Sequence, residues 1–230
     1  SGFSSPLMSS FPETTPLHES LTGTDTAKLR ELIADASTDL NVRNLFGETA
    51  LMRAVVWNRP ECVELLCEAG ADTNIPRIWS LSGEDDSTPL LAAVDDSTDW
   101  HMVQVLIRHG AHINHRRSFR QGHRDDRTAL EYACTDLLGG TIGTFFIIRL
   151  LLRAGADATP RSTRLFGHRD DSSALGHAAS ACNAIFVETM LERGSDPNYI
   201  PENAAGFVTG ITALQRACAG PSGGMEGTSR

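Results

Sequence analysis

Six segments of this 230-residue chain open on the same short phrase. TPLHES begins at Thr15, TALMRA at Thr49, TPLLAA at Thr88, TALEYA at Thr128, SALGHA at Ser173 and TALQRA at Thr212. The third position is leucine in every copy: Leu17, Leu51, Leu90, Leu130, Leu175 and Leu214. The sixth is small in every copy: Ser20, Ala54, Ala93, Ala133, Ala178 and Ala217. Self-similarity at a steady period marks a stack of supersecondary units, none of which can bury its apolar face alone. The leucine column predicts a continuous core, and the small column lets neighbouring helices approach closely.

The copy from Thr49 to Asn74 reads as two short amphipathic helices. Leu51, Ala54 and Val55, then Val63, Leu65 and Leu66, are apolar at spacings of three and four. Thr49 is a hydroxyl suited to capping the first helix, and Gly70 suits a left-handed stop after the second. The second helix repeats as VELLCEAGADTN, VQVLIRHGAHIN, IRLLLRAGADAT and VETMLERGSDPN, with a degenerate first copy, LRELIADASTDLN. With its Thr-Pro-Leu-His start and Leu-Leu-x-x-Gly-Ala-Asp-x-Asn ending, the pattern resembles the ankyrin repeat.

The resemblance covers residues 15–219 and implies an all-α ankyrin-repeat solenoid of helix–turn–helix units with extended β-hairpin finger loops. Full repeats are expected at 15–48, 49–87, 88–127, 128–172 and 173–211, and a half repeat at 212–219. Residues 1–14 read as an N-terminal tail or cap, and 220–230 as a flexible tail. Only the first copy keeps the motif histidine, His18; the others carry Met52, Leu91, Glu131, Gly176 and Gln215. The third repeat has one extra residue between its helices, near Asp95–Asp99. The fourth has six, in Leu137–Thr144, read as a longer turn or an extended helix end.

Composition narrows the class. The net charge of −9 argues against a general nucleic-acid binder. Five cysteines without a CxxC pair fit reduced thiols in a cytoplasmic or nuclear protein. No apolar run approaches the roughly 18 residues that span a membrane. The N-terminal SGFSSPLMSSFPE lacks the basic start and apolar stretch of a signal peptide. Arginine supplies all the basic side chains except Lys28. Composition bias explains that, and so does avoidance of ubiquitin acceptors.

The connections between repeats carry the most distinctive signal. From Asn41 to Thr49 takes eight steps; Asn74–Thr88, Asn114–Thr128, Thr159–Ser173 and Asn198–Thr212 each take fourteen. Equal lengthening predicts repeated hairpins that pair side by side and so satisfy their backbone groups. Asp86, Asp126 and Asp171 occupy the column held by Gly47 and Gly210, and positive φ is expected there. The middle fingers interleave arginine with aromatics: Arg77 and Trp79, then Arg116, Arg117, Phe119 and Arg120, then Arg161, Arg164 and Phe166. Arginine, tryptophan and phenylalanine suit a protein interface. The bland alternative is that the finger arginines pair with acidic finger ends while the aromatics fill the finger layer. On the helix side of the groove, Trp57, Asp95, Asp96 and Trp100 join the candidate surface.

Catalytic and metal readings fail on spacing. His123-Arg124-Asp125 and His168-Arg169-Asp170 imitate a kinase catalytic loop without its downstream Asn, Gly-rich loop or lysine strand. His109, His112 and His115 straddle the Gly110 turn. Cys134 and Cys218 fall in a buried column with Val55 and Val94. No enzyme, cofactor or metal is expected.

The resemblance implies a protein-interaction module. Its partner is a protein or peptide with an acidic or mixed-charge segment, held in the concave groove and by the fingers. A substrate-reading part of a longer ubiquitin-ligase or signalling adaptor is the first alternative. Small-ligand or nucleic-acid binding by the arginine-rich fingers is the second. The resemblance also marks Asn74 as a candidate for asparaginyl hydroxylation.

Overall fold

The computed structural model describes residues 14–23, 26–80, 83–84, 86–96, 99–116, 127–135, 142–159, 173–181, 183–200 and 211–219. The chain divides into two compact units, Ser1–Ala129 and Leu130–Arg230. In the first, helices pair within repeats: α1 (Pro16–Ser20) with α2 (Ala27–Ala34), α3 (Ala50–Val56) with α4 (Pro60–Glu68), and α5 (Pro89–Asp96) with α6 (Trp100–Arg108). They also stack between repeats, α1 on α3 on α5 in one layer and α2 on α4 on α6 in the other. The second unit holds α7 (Ala129–Thr135) from its second residue onward, then α8 (Ile142–Arg153), α9 (Ala174–Ser180), α10 (Ala184–Glu192) and α11 (Ala213–Ala219), with α9 packed against both α10 and α11. No helix among the described residues is long and apolar enough to cross a membrane.

The expected punctuation is in place. The Thr49 hydroxyl accepts the Met52 N–H at 3.2 Å, Ser173 that of Gly176 at 3.1 Å, and Thr212 that of Gln215 at 3.2 Å. Each satisfies a donor that the first helical turn leaves open. At the other end of the unit, Gly70 has φ +91°. Its N–H donates to the Cys67 carbonyl and that of Ala71 to Leu66, both at 3.0 Å, closing α4 with a Schellman turn. Gly110, Gly155 and Gly194 repeat this conformation after α6, α8 and α10.

The core follows the two columns. Leu17, Leu51, Leu90, Leu130 and Leu175 are buried, as are Ser20, Ala54, Ala93, Ala133 and Ala178. The sixth copy departs from the rule: Leu214 is 73% exposed and Cys218 is exposed too. The expectation that Cys218 is buried like Val55 is therefore corrected. Among the described residues α11 packs on α9, and Leu214 and Cys218 stay outside that contact face.

His18 makes the bonds its motif implies. Its ring nitrogens lie 2.6 Å from the Thr15 hydroxyl and 3.0 Å from the Glu48 carbonyl of the next repeat. In the same column Met52 and Leu91 are buried, so apolar contact replaces the hydrogen bonds there.

The insertions lengthen helices. α5 runs eight residues against seven in α3, taking Asp95 and Asp96 into its last turn. α8 runs twelve against nine in α4, and the addition lies at its N-terminal end. In the finger between Asn74 and Thr88, β1 (Trp79–Ser80) and β2 (Gly83–Glu84) pair antiparallel, Trp79 opposite Glu84 and Ser80 opposite Gly83. Nearer the finger base the Arg77 N–H donates to the Ser87 carbonyl at 3.1 Å. The other three long fingers lie mostly outside the described residues. One finger expectation is overturned: among the described residues Asn58 is the non-glycine residue with positive φ, so Asp86 lacks the left-handed turn predicted for it. Gly47 closes the tight turn built on Asn44, whereas Asp86 follows β2 in a longer finger, beside the Arg77–Ser87 bond.

Candidate interaction surface

The first finger is built on Asn44. The Asn44 side-chain oxygen accepts the N–H groups of Phe46 at 2.9 Å and Glu48 at 3.0 Å, and its backbone N–H donates to the Glu48 carbonyl at 2.9 Å. This tight turn lifts Phe46 to the tip, where it is 51% exposed. Gly47 closes the turn at φ +69°, and a Cβ there would lie 2.6 Å from the Ile78 Cβ of the next finger. Both conformation and space demand glycine at this point.

Behind the tip stands Arg53 on α3. Its guanidinium carbon is 5.9 Å from the Phe46 ring centroid and 4.9 Å from that of Trp57, and its Nε is 3.3 Å from a Glu48 carboxylate oxygen. The cation is thus in contact with both rings and neutralised from a third side. Such contacts are worth about 0.5–1 kcal/mol each at exposed sites. Arg53 and Trp57 are four residues apart, neighbours on one helix face. Trp57 ends α3, donating its N–H to the Arg53 carbonyl at 3.0 Å, and Asn58 follows in the left-handed conformation. Trp57 is 43% exposed while the Arg53 side chain is 12% exposed. The result is two half-exposed rings held by one sheltered arginine.

The other predicted residues are more dispersed. Asp95 is exposed at the end of α5, and Asp96 is the last residue of that helix. Trp100 is 40% exposed but opens α6, a second helix, where it meets His101 edge-on at 6.1 Å. Arg77 and Arg116 are half-buried at finger bases, and Trp79 lies in β1. His115, beside Arg116, brings a ring nitrogen within 3.1 Å of the Asp86 carbonyl and ties two fingers together. Arg117, Phe119, Arg120, Arg161, Arg164 and Phe166 lie outside the described residues.

Asn74 acts as a staple between repeats. Its side-chain oxygen accepts the His112 N–H at 2.7 Å and its NH₂ donates to the Gly110 carbonyl at 3.1 Å. Asn41 makes the corresponding bond to the Asp72 N–H at 2.9 Å. Both polar ends of the Asn74 amide are thus occupied by the following repeat.

Sequence reasoning selected Trp57 and missed Phe46 and Arg53. The available signal was the four-residue spacing from Arg53 to Trp57, but an eight-step finger of ordinary length drew no attention to Phe46. Burial pushes the Cys67 thiol up to about 12 and raises Cys134 and Cys62 as well, while burial holds His18 below its ordinary value. Among the described residues no group of three or more His, Cys, Asp or Glu could hold a metal ion.

Residues 5–77 match the family model for ankyrin repeats in three copies, and residues 85–118 match the model for the ankyrin repeat. The B-cell lymphoma 3 protein homolog of Mus musculus is 41% identical over 86 residues, which are 37% of this chain and 18% of that protein. The chain therefore spans less than a fifth of this curated relative. A chain from the structure of a predatory endopeptidase of Bdellovibrio bacteriovorus in complex with an immunity protein superposes with a TM-score of 0.61. It is 19% identical, over 90% of this chain and 92% of that one. The human ASB11 ankyrin repeat domain gives a TM-score of 0.56 at 20% identity, over 89% and 77%. At these identities the structural likeness establishes the fold alone.

Proposed function

Because this chain belongs to the ankyrin repeat family, we propose that it is a non-enzymatic interaction module that takes up a partner protein or peptide. The partner lies on the first-helix and finger side of the first unit. The observation that carries this reading is the pair of rings, Phe46 and Trp57, half-exposed on either flank of a sheltered, charge-compensated Arg53. Exposed aromatics that are already held in place lose little conformational freedom on binding, which is what interface anchors need. The Arg53–Glu48 pair keeps net charge away from the rings, so they accept an aliphatic or proline side chain. Exposed Asp95 and the finger arginines Arg77 and Arg116 then favour a partner of mixed charge.

Affinity capture with wild-type protein and with Phe46→Ala/Trp57→Ala, read by quantitative mass spectrometry, tests the reading. A direct partner is expected to bind the wild type and to lose at least about tenfold in recovery with the double variant, as hot-spot truncations do. Helical circular dichroism should be unchanged. Equal recovery of every specific partner by both proteins would remove the reading.

A further inference from the structure

The second unit carries a different exposed surface. Gly155 and Gly194 end α8 and α10 with φ +92° and +86°. Counting back from these glycines sets the helices in register: Phe146 with Ile185, Arg149 with Glu188, Arg153 with Glu192. All six side chains are exposed, Phe146 at 41% and Ile185 at 73%. The spacing of three and then four keeps each trio on one helix face. The helices touch, because the Phe145 ring of α8 stacks on Phe186 of α10 at 5.9 Å between centroids. One stripe is thus aromatic and basic, and its neighbour is aliphatic and acidic. None of the four charges forms an ion pair with another described residue.

We propose that this face binds a second copy of the chain, related by a two-fold axis that runs parallel to the helices between α8 and α10. Half a turn about that axis preserves helix direction and exchanges the stripes. α8 of one copy then lies over α10 of the other. Phe146 meets the second copy's Ile185, Arg149 its Glu188 and Arg153 its Glu192, and the same contacts recur on the other side of the axis. The interface is isologous, as closed dimers require. A partner of one charge sign would satisfy one stripe and be repelled by the other. A surface with both stripes at matching spacing is this chain's own. The apolar pairs supply affinity, while the charges set register and suppress wrong partners.

Charge exchange tests the arrangement by sedimentation equilibrium over a concentration series. Wild-type protein is expected to dimerise. Arg149→Glu/Arg153→Glu makes the face wholly acidic, and Glu188→Arg/Glu192→Arg makes it wholly basic. Each alone should raise the dimer Kd by at least about tenfold, since like charges then oppose each other. An equimolar mixture of the two should recover dimer, because each acidic stripe now finds a basic one. The neutral pair Arg149→Gln/Arg153→Gln should loosen the dimer by a smaller step, and Ile185→Asp should weaken it without altering helicity. A wild type that stays monomeric, variants that dimerise unchanged, or a mixture that fails to recover overturns the proposal.

Discussion

The second and sixth copies open on nearly the same words, TALMRA and TALQRA, yet the same leucine is 1% exposed in one and 73% exposed in the other. Leu51 sits in α3, which packs against α4 and against both neighbouring first helices. Leu214 sits in α11, which rests on α9. Their intrinsic preferences are equal, so the difference belongs to their surroundings. In a repeat stack each unit's stability is largely the sum of what its neighbours cover.

Breaking the comparison should be easiest at those two leucines. Leu51→Ala is expected to destabilise the first unit by about 2–5 kcal/mol, the range for a buried leucine replaced by alanine. Leu214→Ala should change stability by less than about 0.5 kcal/mol, as surface substitutions do. Urea unfolding followed by circular dichroism measures both, and equal midpoint shifts would contradict the contrast.

The glycines sharpen it next. Gly47→Ala combines positive φ with a 2.6 Å clash against Ile78, whereas Gly70→Ala meets nothing within 4 Å. The first should cost about 2–3 kcal/mol and the second about 1 kcal/mol, the difference being overpacking added to backbone strain. The same unfolding series ranks them. A smaller step comes from the cap: Thr49→Ala should lose about 1 kcal/mol by leaving the Met52 N–H open.

Two chemical probes follow the same logic. Cys134 and Cys218 share a column, but burial raises the pKa of the Cys134 thiol while Cys218 is exposed. Iodoacetamide at neutral pH, mapped by peptide mass spectrometry, should label Cys218 and spare Cys134. His18 titrates below its ordinary 6.5, chiefly because burial disfavours the charged ring. The unfolded chain therefore binds the proton first as pH falls. The stability that His18 contributes is present above about pH 6.5 and is lost as pH drops through the folded value. Thermal melting at pH 7.5 and 5.5 should show a smaller acid loss in His18→Gln than in wild type.

Much of the fold was legible because its signals are local. A hydroxyl five residues before a small residue caps a helix wherever it stands, and a glycine three residues after an apolar one stops it. The stapling asparagines, Asn41 and Asn74, could also be read from their recurrence. The candidate site was less legible. Trp57 stood out as a bare aromatic at a helix end, but Phe46 meets Arg53 only because Asn44 folds the finger tip back. Asp86 was misread because column identity with Gly47 ignores finger length: Gly47 closes the tight Asn44 turn, whereas Asp86 follows β2 in a longer finger.

Periodicity alone therefore settles where the described helices are capped and stopped and which columns are apolar, since capping, chirality and apolar spacing act within a few residues. Tertiary packing decides the rest. It leaves Leu214 uncovered and makes Gly47 irreplaceable against Ile78. It sets Arg53 against two rings, and it brings the basic stripe of α8 beside the acidic stripe of α10. Each of these depends on which surface a distant segment presents, and burial and charge pairing are properties of neighbours in space.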